Sequence, residues 1–340
     1  MAIWTKRERL EAIVNGELAD RPPVSAWHHF IDAEQSAEEL AEATAEFQRK
    51  YDWDFVKINP RAVCYAEMWG NEYDYSKYTG LAPTCTRRIL HSARDLGKIA
   101  EIPADQGALG EQLVAVRLIR DKLGADVPLL QTVFSPLAVL LNLCGNRIIG
   151  RYREAPRNES PLVRLITEDG DGAHRALKAI ANTLAGYAGA ILDAGADGAF
   201  YTSLGIARDG YLTLEEWEHF ARPYDLIVLE ALESSPTILH TCGIYSNPQR
   251  FVDYPIKILH WAESAVGNPS IASSANWIGR KAVMGGVDER YFGTDAPDKI
   301  AELAGRAVRL HAERPFVLAP ECSVSPSTFE SEFWALRTAV

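Results

Sequence analysis

Several things are scarce in this 340-residue chain, and each scarcity excludes a class. Five cysteines are too few, and odd in number, for a disulfide framework. They fit a reducing cytoplasm, where thiols stay free for metal. No apolar run approaches the roughly 20 residues that span a bilayer. Residues 1–20 are mixed in charge, carry no signal-peptide core and read as an amphipathic helix. No run of Lys or Arg tracks along a face and the net charge is −11, which argues against nucleic acid or an anionic membrane as the main partner. No repeat, low-complexity tract or linker divides the chain, so residues 1–340 read as a single domain. No Gly-rich fingerprint follows the first strand, which disfavours a dinucleotide-binding open sheet.

What is present is alternation. Eight apolar runs, at 24–27, 54–59, 128–134, 196–201, 237–241, 256–261, 282–287 and 316–319, have the length and residue types of buried strands. Helical spacing marks 5–16, 37–50, 109–123, 137–143, 161–194, 213–233, 297–312 and 327–338. The pattern predicts an α/β protein, a single (β/α)8 TIM barrel. Between 61 and 93 the periodicity is lost and Tyr65, Trp69, Tyr73, Tyr75 and Tyr78 crowd in. A stretch of that length predicts an aromatic-rich excursion after strand two, a hairpin over the barrel mouth.

Catalytic groups of such barrels lie at the C-terminal ends of strands. His240 and Cys242 close the run 237–241, and residues two apart on an extended backbone point the same way. Cys322 follows 316–319, and Glu263 follows 256–261. A His, two Cys and a Glu suit zinc better than magnesium or calcium. A lone His-x-Cys reads first as a buried His and an inert thiol; Cys322 at a matching strand end tips the reading to metal. Glu263 stands open as a ligand, as an acceptor behind His240, or as a plain charge at the mouth. Two thiolates and a carboxylate leave a dication's site negative by one, poor at making hydroxide. Such a site suits a thiol that displaces the weakest ligand and loses a proton normally titrating near ~8.5. Cys64, Cys85 and Cys144 lack partners at ligand spacing, and His260 reads as packed against a helix.

Other groups crowd the same mouth. His28 and His29 follow the first run and are acid–base candidates, with packing as the alternative. Trp27, Asn59, Tyr201, Ser203 and Asp288 stand at strand ends as substrate-orienting candidates. Asp288 equally reads as a cap for the helix that follows.

At these residues the sequence resembles the uroporphyrinogen decarboxylase superfamily, and within it the zinc-dependent methyltransferases. The likeness runs from Arg9-Leu10-Glu11-Ala12-Ile13-Val14-Asn15-Gly16 and Asp20-Arg21-Pro22-Pro23-Val24 through Asp193-Ala194-Gly195-Ala196-Asp197-Gly198. It continues through the His-x-Cys and Met284-Gly285-Gly286-Val287-Asp288 to Cys322. The methyltransferase branch includes methylcobamide:coenzyme M enzymes, and cobalamin-independent methionine synthase uses a similar His, Cys, Glu, Cys set. The resemblance therefore implies zinc on His240, Cys242, Glu263 and Cys322, and transfer of a methyl group to a small thiol. The expected partners are a corrinoid protein carrying methylcobalamin and a second copy of the chain. No Asp-x-His-x-x-Gly corrinoid signature is present, so any cobalamin must arrive on that partner. Where the decarboxylases carry an arginine-bearing stretch for substrate carboxylates, this chain reads Trp27-His28-His29-Phe30-Ile31-Asp32. That makes tetrapyrrole decarboxylation a poor fit. The late Cys stands in Pro320-Glu321-Cys322-Ser323-Val324-Ser325-Pro326 rather than a Gly-Cys-Gly-like loop, which implies a reshaped pocket. The competing readings are a decarboxylase or lyase of the same superfamily acting on another small substrate, and a non-catalytic metal- or corrinoid-binding protein.

Overall fold

Apolar runs without polar alternation belong in a sheet covered on both faces, and seven of the eight pair in parallel in the computed structural model, which describes residues 4–145, 151–154 and 156–340. The chain opens with α1 (Lys6–Val14), α2 (Ala37–Tyr51) and strand β1 (Val56–Ile58). A short helix α3 (Cys64–Glu67) and an antiparallel hairpin, β2 (Glu72–Thr79) with β3 (Ala82–Arg87), come next. Then follow α4 (Gly107–Leu123), β4 (Leu129–Phe134), α5 (Pro136–Leu143), α6 (Pro161–Glu168), α7 (Gly170–Asp193) and β5 (Gly198–Thr202). The last part holds α8 (Leu214–Phe220), α9 (Arg222–Glu230), β6 (Thr237–Thr241), β7 (Ile258–Trp261) and β8 (Ala282–Val287). It ends with α10 (Pro297–Leu310), β9 (Phe316–Pro320) and α11 (Glu330–Arg337). The parallel sheet runs in the order β1-β4-β5-β6-β7-β8-β9, so each strand lies beside the sheet strand before it in sequence.

The run 24–27 is not a strand. Val24 makes one isolated parallel bridge, to Leu318. Pro22 and Pro23 have no N–H to donate to a ladder. The segment still bonds to both edges of the sheet: Ser25 N donates to Leu318 O at 3.2 Å and Leu318 N to Pro23 O at 2.9 Å, while Asp54 N, just before β1, donates to Val24 O at 2.9 Å. The Asp54 carboxylate, fully buried, accepts from Val24 N at 2.8 Å and from Arg21 at 2.6 and 3.0 Å.

Two stretches expected as single helices are broken, each by its own sequence. Asp169 ends α6 and accepts from Gly172 N at 2.8 Å, which caps α7. Pro223 sits in the first turn of α9, where its missing N–H costs nothing and where α8 can run no further.

Strand alternation splits the core in two. Phe55, Leu130, Phe200, Ile238, Ile258, Met284 and Val317 turn to one side of the sheet, with Trp27 and with Leu10 and Ile13 of α1 among them. The other face packs against the helices in a larger cluster that includes Val133, Tyr201, Leu239, Leu259 and Leu318. Which side a strand residue joins decides whether it can reach the site.

Candidate metal centre

His240 sits in β6 on the Phe200–Ile238 side, and Cys242 repeats its direction two residues later. Cys322 lies two residues beyond β9. All three are buried, and their ligand atoms lie within 4.8 Å of one another. The sulfurs are 3.7 Å apart, far outside disulfide bonding, and Cys322 Sγ is 3.5 Å from His240 Nε2. A tetrahedral zinc with bonds of about 2.3 Å to sulfur and about 2.05 Å to nitrogen would have edges of about 3.8 Å between sulfurs and about 3.6 Å between sulfur and nitrogen. Two of the three edges therefore already have the spacing that metal requires, and the third is within 4.8 Å. His240 Nδ1 is buried without a partner. The two thiols are within hydrogen-bond reach: the bond with Cys322 and the nearby Arg151 lower Cys242 to about 7, while the same bond and burial push Cys322 up.

Glu263 does not join them. Its Oε2 accepts from Ile271 N at 2.8 Å, and it lies outside the metal-competent group among the described residues. The register gives the reason: Thr241 pairs with Trp261, so Ala262 falls opposite Cys242 and Glu263 is one residue past it. In an extended strand one residue is the difference between two faces. His260, the register partner of His240, is the residue that faces the site; its ring lies 4.6 Å from that of His240 and its Nε2 3.0 Å from Pro320 O. It is not packed against a helix as the sequence suggested. Burial and the neighbouring His240 hold it well below the usual histidine range.

Beside the cluster lies a cavity of about 90 Å³, counted as space open to the centre of a water molecule. Its walls are mostly apolar, with Trp27, Phe134, Phe200 and the hairpin residues Leu81 and Ala82 among them. Of the expected substrate residues, Trp27 and Asn59 line it, and so does His29. His29 Nδ1 is 2.9 Å from the buried Glu34, which orients the ring. His28 turns away and packs against Phe30, Phe47 and Phe333, where burial lowers it to about 4. It has no part in the cavity. Asp288 accepts from Arg290 N at 2.9 Å and from the Arg290 guanidinium, so the capping alternative describes it. Ser203 is buried, its N–H donating to His240 O at 3.1 Å, and does not line the cavity.

Tyr201 also points away: it pairs with Leu239 and donates to Asp225 at 2.6 Å, with Tyr254 donating to the other oxygen at 3.0 Å. Thr202, one residue on, faces the cavity instead. Burial raises Asp225 to about 7 despite the two phenol donors. A carboxyl whose folded pKa is raised contributes stability that is complete below its unfolded value near ~4 and is lost as pH rises through the folded value. Thermal unfolding of Asp225→Asn should therefore show a shallower loss of stability between about pH 4 and about pH 7, the difference bounded by about 1.4 kcal/mol per pH unit. A variant that tracks the parent at every pH would remove this role from Asp225.

Three residues at the site went unseen in the sequence. Lys57, between Phe55 and Asn59 on the inward side of β1, is buried, and burial lowers it to about 7 against the pull of Cys322. Arg151 lines the cavity and donates to Glu289 at 3.0 Å and to Ser323 O at 3.3 Å. Glu321, next to Cys322, turns from the cavity and accepts from Ser264 N at 3.2 Å; burial raises it to about 8. Alternation with Asn59 was the signal for Lys57. None marked Arg151.

The sequence profile of the family described as Uroporphyrinogen decarboxylase (URO-D) matches residues 5–340. The chain is 22% identical over 275 residues to the methylcobamide:CoM methyltransferase MtbA of Methanosarcina mazei, covering 74% of each chain. It is 19% identical, over the same shares, to the MtbA of Methanosarcina acetivorans. Among solved structures, a methyltransferase from Methanosarcina mazei superposes with a TM-score of 0.79 at 21% identity, covering 99% of this chain and 98% of that one. A putative vitamin-B12 independent methionine synthase from Listeria monocytogenes gives 0.53 at 11% identity, covering 94% and 95%.

Proposed function

The chain belongs to the uroporphyrinogen decarboxylase (URO-D) family, and from that premise we propose that it is a zinc-dependent methyltransferase that transfers a methyl group to a small thiol. His240, Cys242 and Cys322 hold the zinc. The donor is a methylated corrinoid carried by a partner protein, in line with the methylcobamide named for the Methanosarcina relatives. The observation that carries this reading is the pair of spacings, 3.7 and 3.5 Å, which fit two edges of a tetrahedral zinc site.

Zinc, when bound, supplies the Lewis acidity that brings a thiol with a pKa near ~8.5 to its nucleophilic form at neutral pH. The chain's own residues do the rest. His240, Cys242 and Cys322 would hold the metal at the cavity wall they line, while Glu263 is held on Ile271 N. Two thiolates and a neutral imidazole cancel a dication, which keeps the site a weak generator of hydroxide. Trp27, Phe134 and Phe200 exclude water from the thiol's carbon chain. His29, oriented by Glu34, stands at the cavity wall to take the thiol's proton.

The same reading takes residues 1–340 as one domain, a barrel of seven strands closed between β9 and β1 by the extended segment 23–25 in place of an eighth. Its support is the bonds from that segment to Leu318 and to Asp54. The hairpin β2–β3 is the lid of that barrel, through Leu81 and Ala82. Free thiols are what the chemistry needs, which fits the cytoplasm. Among the described residues no helix is long and apolar enough to cross a membrane.

The test is methyl transfer itself. Zinc-loaded protein mixed with methylcobalamin and a thiol should yield the methyl thioether and demethylated cobalamin in equal amounts. Loss of carbon dioxide from a carboxylated substrate, with no thioether from any thiol, would favour the decarboxylase reading instead.

A further inference from the structure

A histidine that gives one ring nitrogen to a metal carries its proton on the other, and that N–H needs an acceptor to fix the ring. His240 turns Nε2 toward Cys322 Sγ at 3.5 Å, so Nδ1 is the nitrogen left with the proton. That Nδ1 is buried without a partner. Glu263, the carboxylate that strand-end position offered behind it, is held on Ile271 N instead.

Beside it stands His260, its register partner across β6 and β7, also buried, with its ring centre 4.6 Å from that of His240. The ring is neutral, and its tautomer is fixed by what it touches. His260 Nε2 lies 3.0 Å from Pro320 O, and a carbonyl oxygen only accepts, so Nε2 bears the proton and Nδ1 is a bare lone pair. That second Nδ1 is buried without a partner as well. The other edge of the ring, at Cδ2, is turned to β8: a Cβ built on Gly285 would stand 3.9 Å from it. Nδ1 is therefore on the edge turned to β6, where His240 stands. Two imidazoles joined by an N–H···N bond of about 3 Å have ring centres up to roughly 5 Å apart, so 4.6 Å is within reach. A donor and an acceptor that are both out of water each cost free energy until they meet.

Resting on the zinc reading of His240, Cys242 and Cys322, we propose that His260 is a positioning residue of the metal centre: its Nδ1 accepts the Nδ1–H of His240 and holds that ring at the angle at which Nε2 meets the metal. The same imidazole donates to Pro320, two residues before Cys322. One side chain thereby ties the histidine of β6 to the strand end that carries the late cysteine. The spacing of two ligands on separate strands is then set before a metal arrives. Trp27 and Phe200 close over the pair, their ring centres 5.5 and 5.7 Å from that of His260, and keep water from competing for either nitrogen.

Zinc affinity, measured by competition with a chelating dye, and the tautomers of the two rings test this without turnover. His260→Leu, which keeps much of the bulk and removes both bonds, should bind zinc about 10- to 100-fold more weakly. His260→Asn places an amide oxygen near the Nδ1 position and is too short for Pro320; it should recover affinity to within about threefold of the parent. His260→Gln places an amide N–H near the Nε2 position and keeps the bond to Pro320; it should stay as weak as His260→Leu. Recovery by Gln and not by Asn would overturn the proposal, because His260 would then act through Pro320 and Cys322. Zinc held equally by the parent and all three variants sinks the role of His260 and leaves the metal centre standing, whereas a parent that takes up no zinc sinks both. Nitrogen-15 spectra of the zinc-loaded parent, labelled at histidine, decide the matter without any variant. His240 should be the Nδ1–H tautomer and His260 the Nε2–H tautomer, with a nitrogen–nitrogen coupling across the bond between them. Either ring in the other tautomer, or no coupling between the two, contradicts the proposal.

Discussion

Cys242→Ser and Cys322→Ser should each cost the protein its zinc at ordinary dialysis concentrations, and methyl transfer with it. Structural zinc sites bind with roughly 10–16 kcal/mol shared among about four ligands, so one ligand is worth about 2.5–4 kcal/mol, or roughly 100- to 1,000-fold in affinity. The cluster offers three candidate ligand side chains among the described residues, so losing one leaves two. Neither change should unfold the chain, because a serine fills nearly the same space. Metal content by atomic emission, with far-ultraviolet circular dichroism as the folding control, gives the result. Cys85→Ser, at a half-buried position on the hairpin, should keep its full complement of zinc. Were Cys322→Ser to retain metal as tightly as the parent, the late cysteine would have no place in the site.

Asp54→Ala should be the most damaging single change to the fold, with a loss of about 3–5 kcal/mol, the cost of leaving buried partners without their charge. Asp54 is fully buried and accepts from two guanidiniums, Arg21 at 2.6 and 3.0 Å and Arg9 at 3.3 Å, and from Val24 N. Those bonds fix the segment that bridges the sheet's two edges and carries Trp27 to the cavity. Lys50→Ala, whose partner Glu330 is exposed, should change stability by no more than about 1 kcal/mol. Urea denaturation of the three proteins measures both. Parity between the two variants would mean that Asp54 does not tie the sheet's edges.

The convergence of His240, Cys242 and Cys322 was legible because two rules coincide there. His240 and Cys242 share a face by alternation, and Cys322 lies at the same end of a parallel strand. Tyr201 and Glu263 lie away from the cluster, because strand-end position places a residue at the mouth only when alternation also turns it inward. Tyr201 is in register with Leu239, not with His240, and Glu263 is one residue beyond the pair of Cys242. Lys57 was hidden inside a run read only as apolar, although it lies two residues from Asn59, which was singled out. The first strand was over-read: Pro22 and Pro23 leave it one bridge. The Asp197-Gly198 motif, by contrast, proves to be structural. Asp197 accepts from Leu129 N at 2.7 Å and from Arg7 and Arg120 at 2.7 Å each. A Cβ at Gly198 would stand 1.9 Å from Pro236 O, a backbone atom that cannot swing aside. Arg151 could not have been found by pattern, because it precedes no strand and reaches the site only through the fold.

The most direct measurement is zinc K-edge X-ray absorption on the purified protein, with and without a small thiol. The zinc shell should hold two sulfurs and one imidazole before addition, and three sulfurs after it, with the third at about 2.3 Å. A protein that takes up no zinc, or a shell whose sulfur count stays at two with every thiol tried, would contradict a thiol-activating metal centre at His240, Cys242 and Cys322.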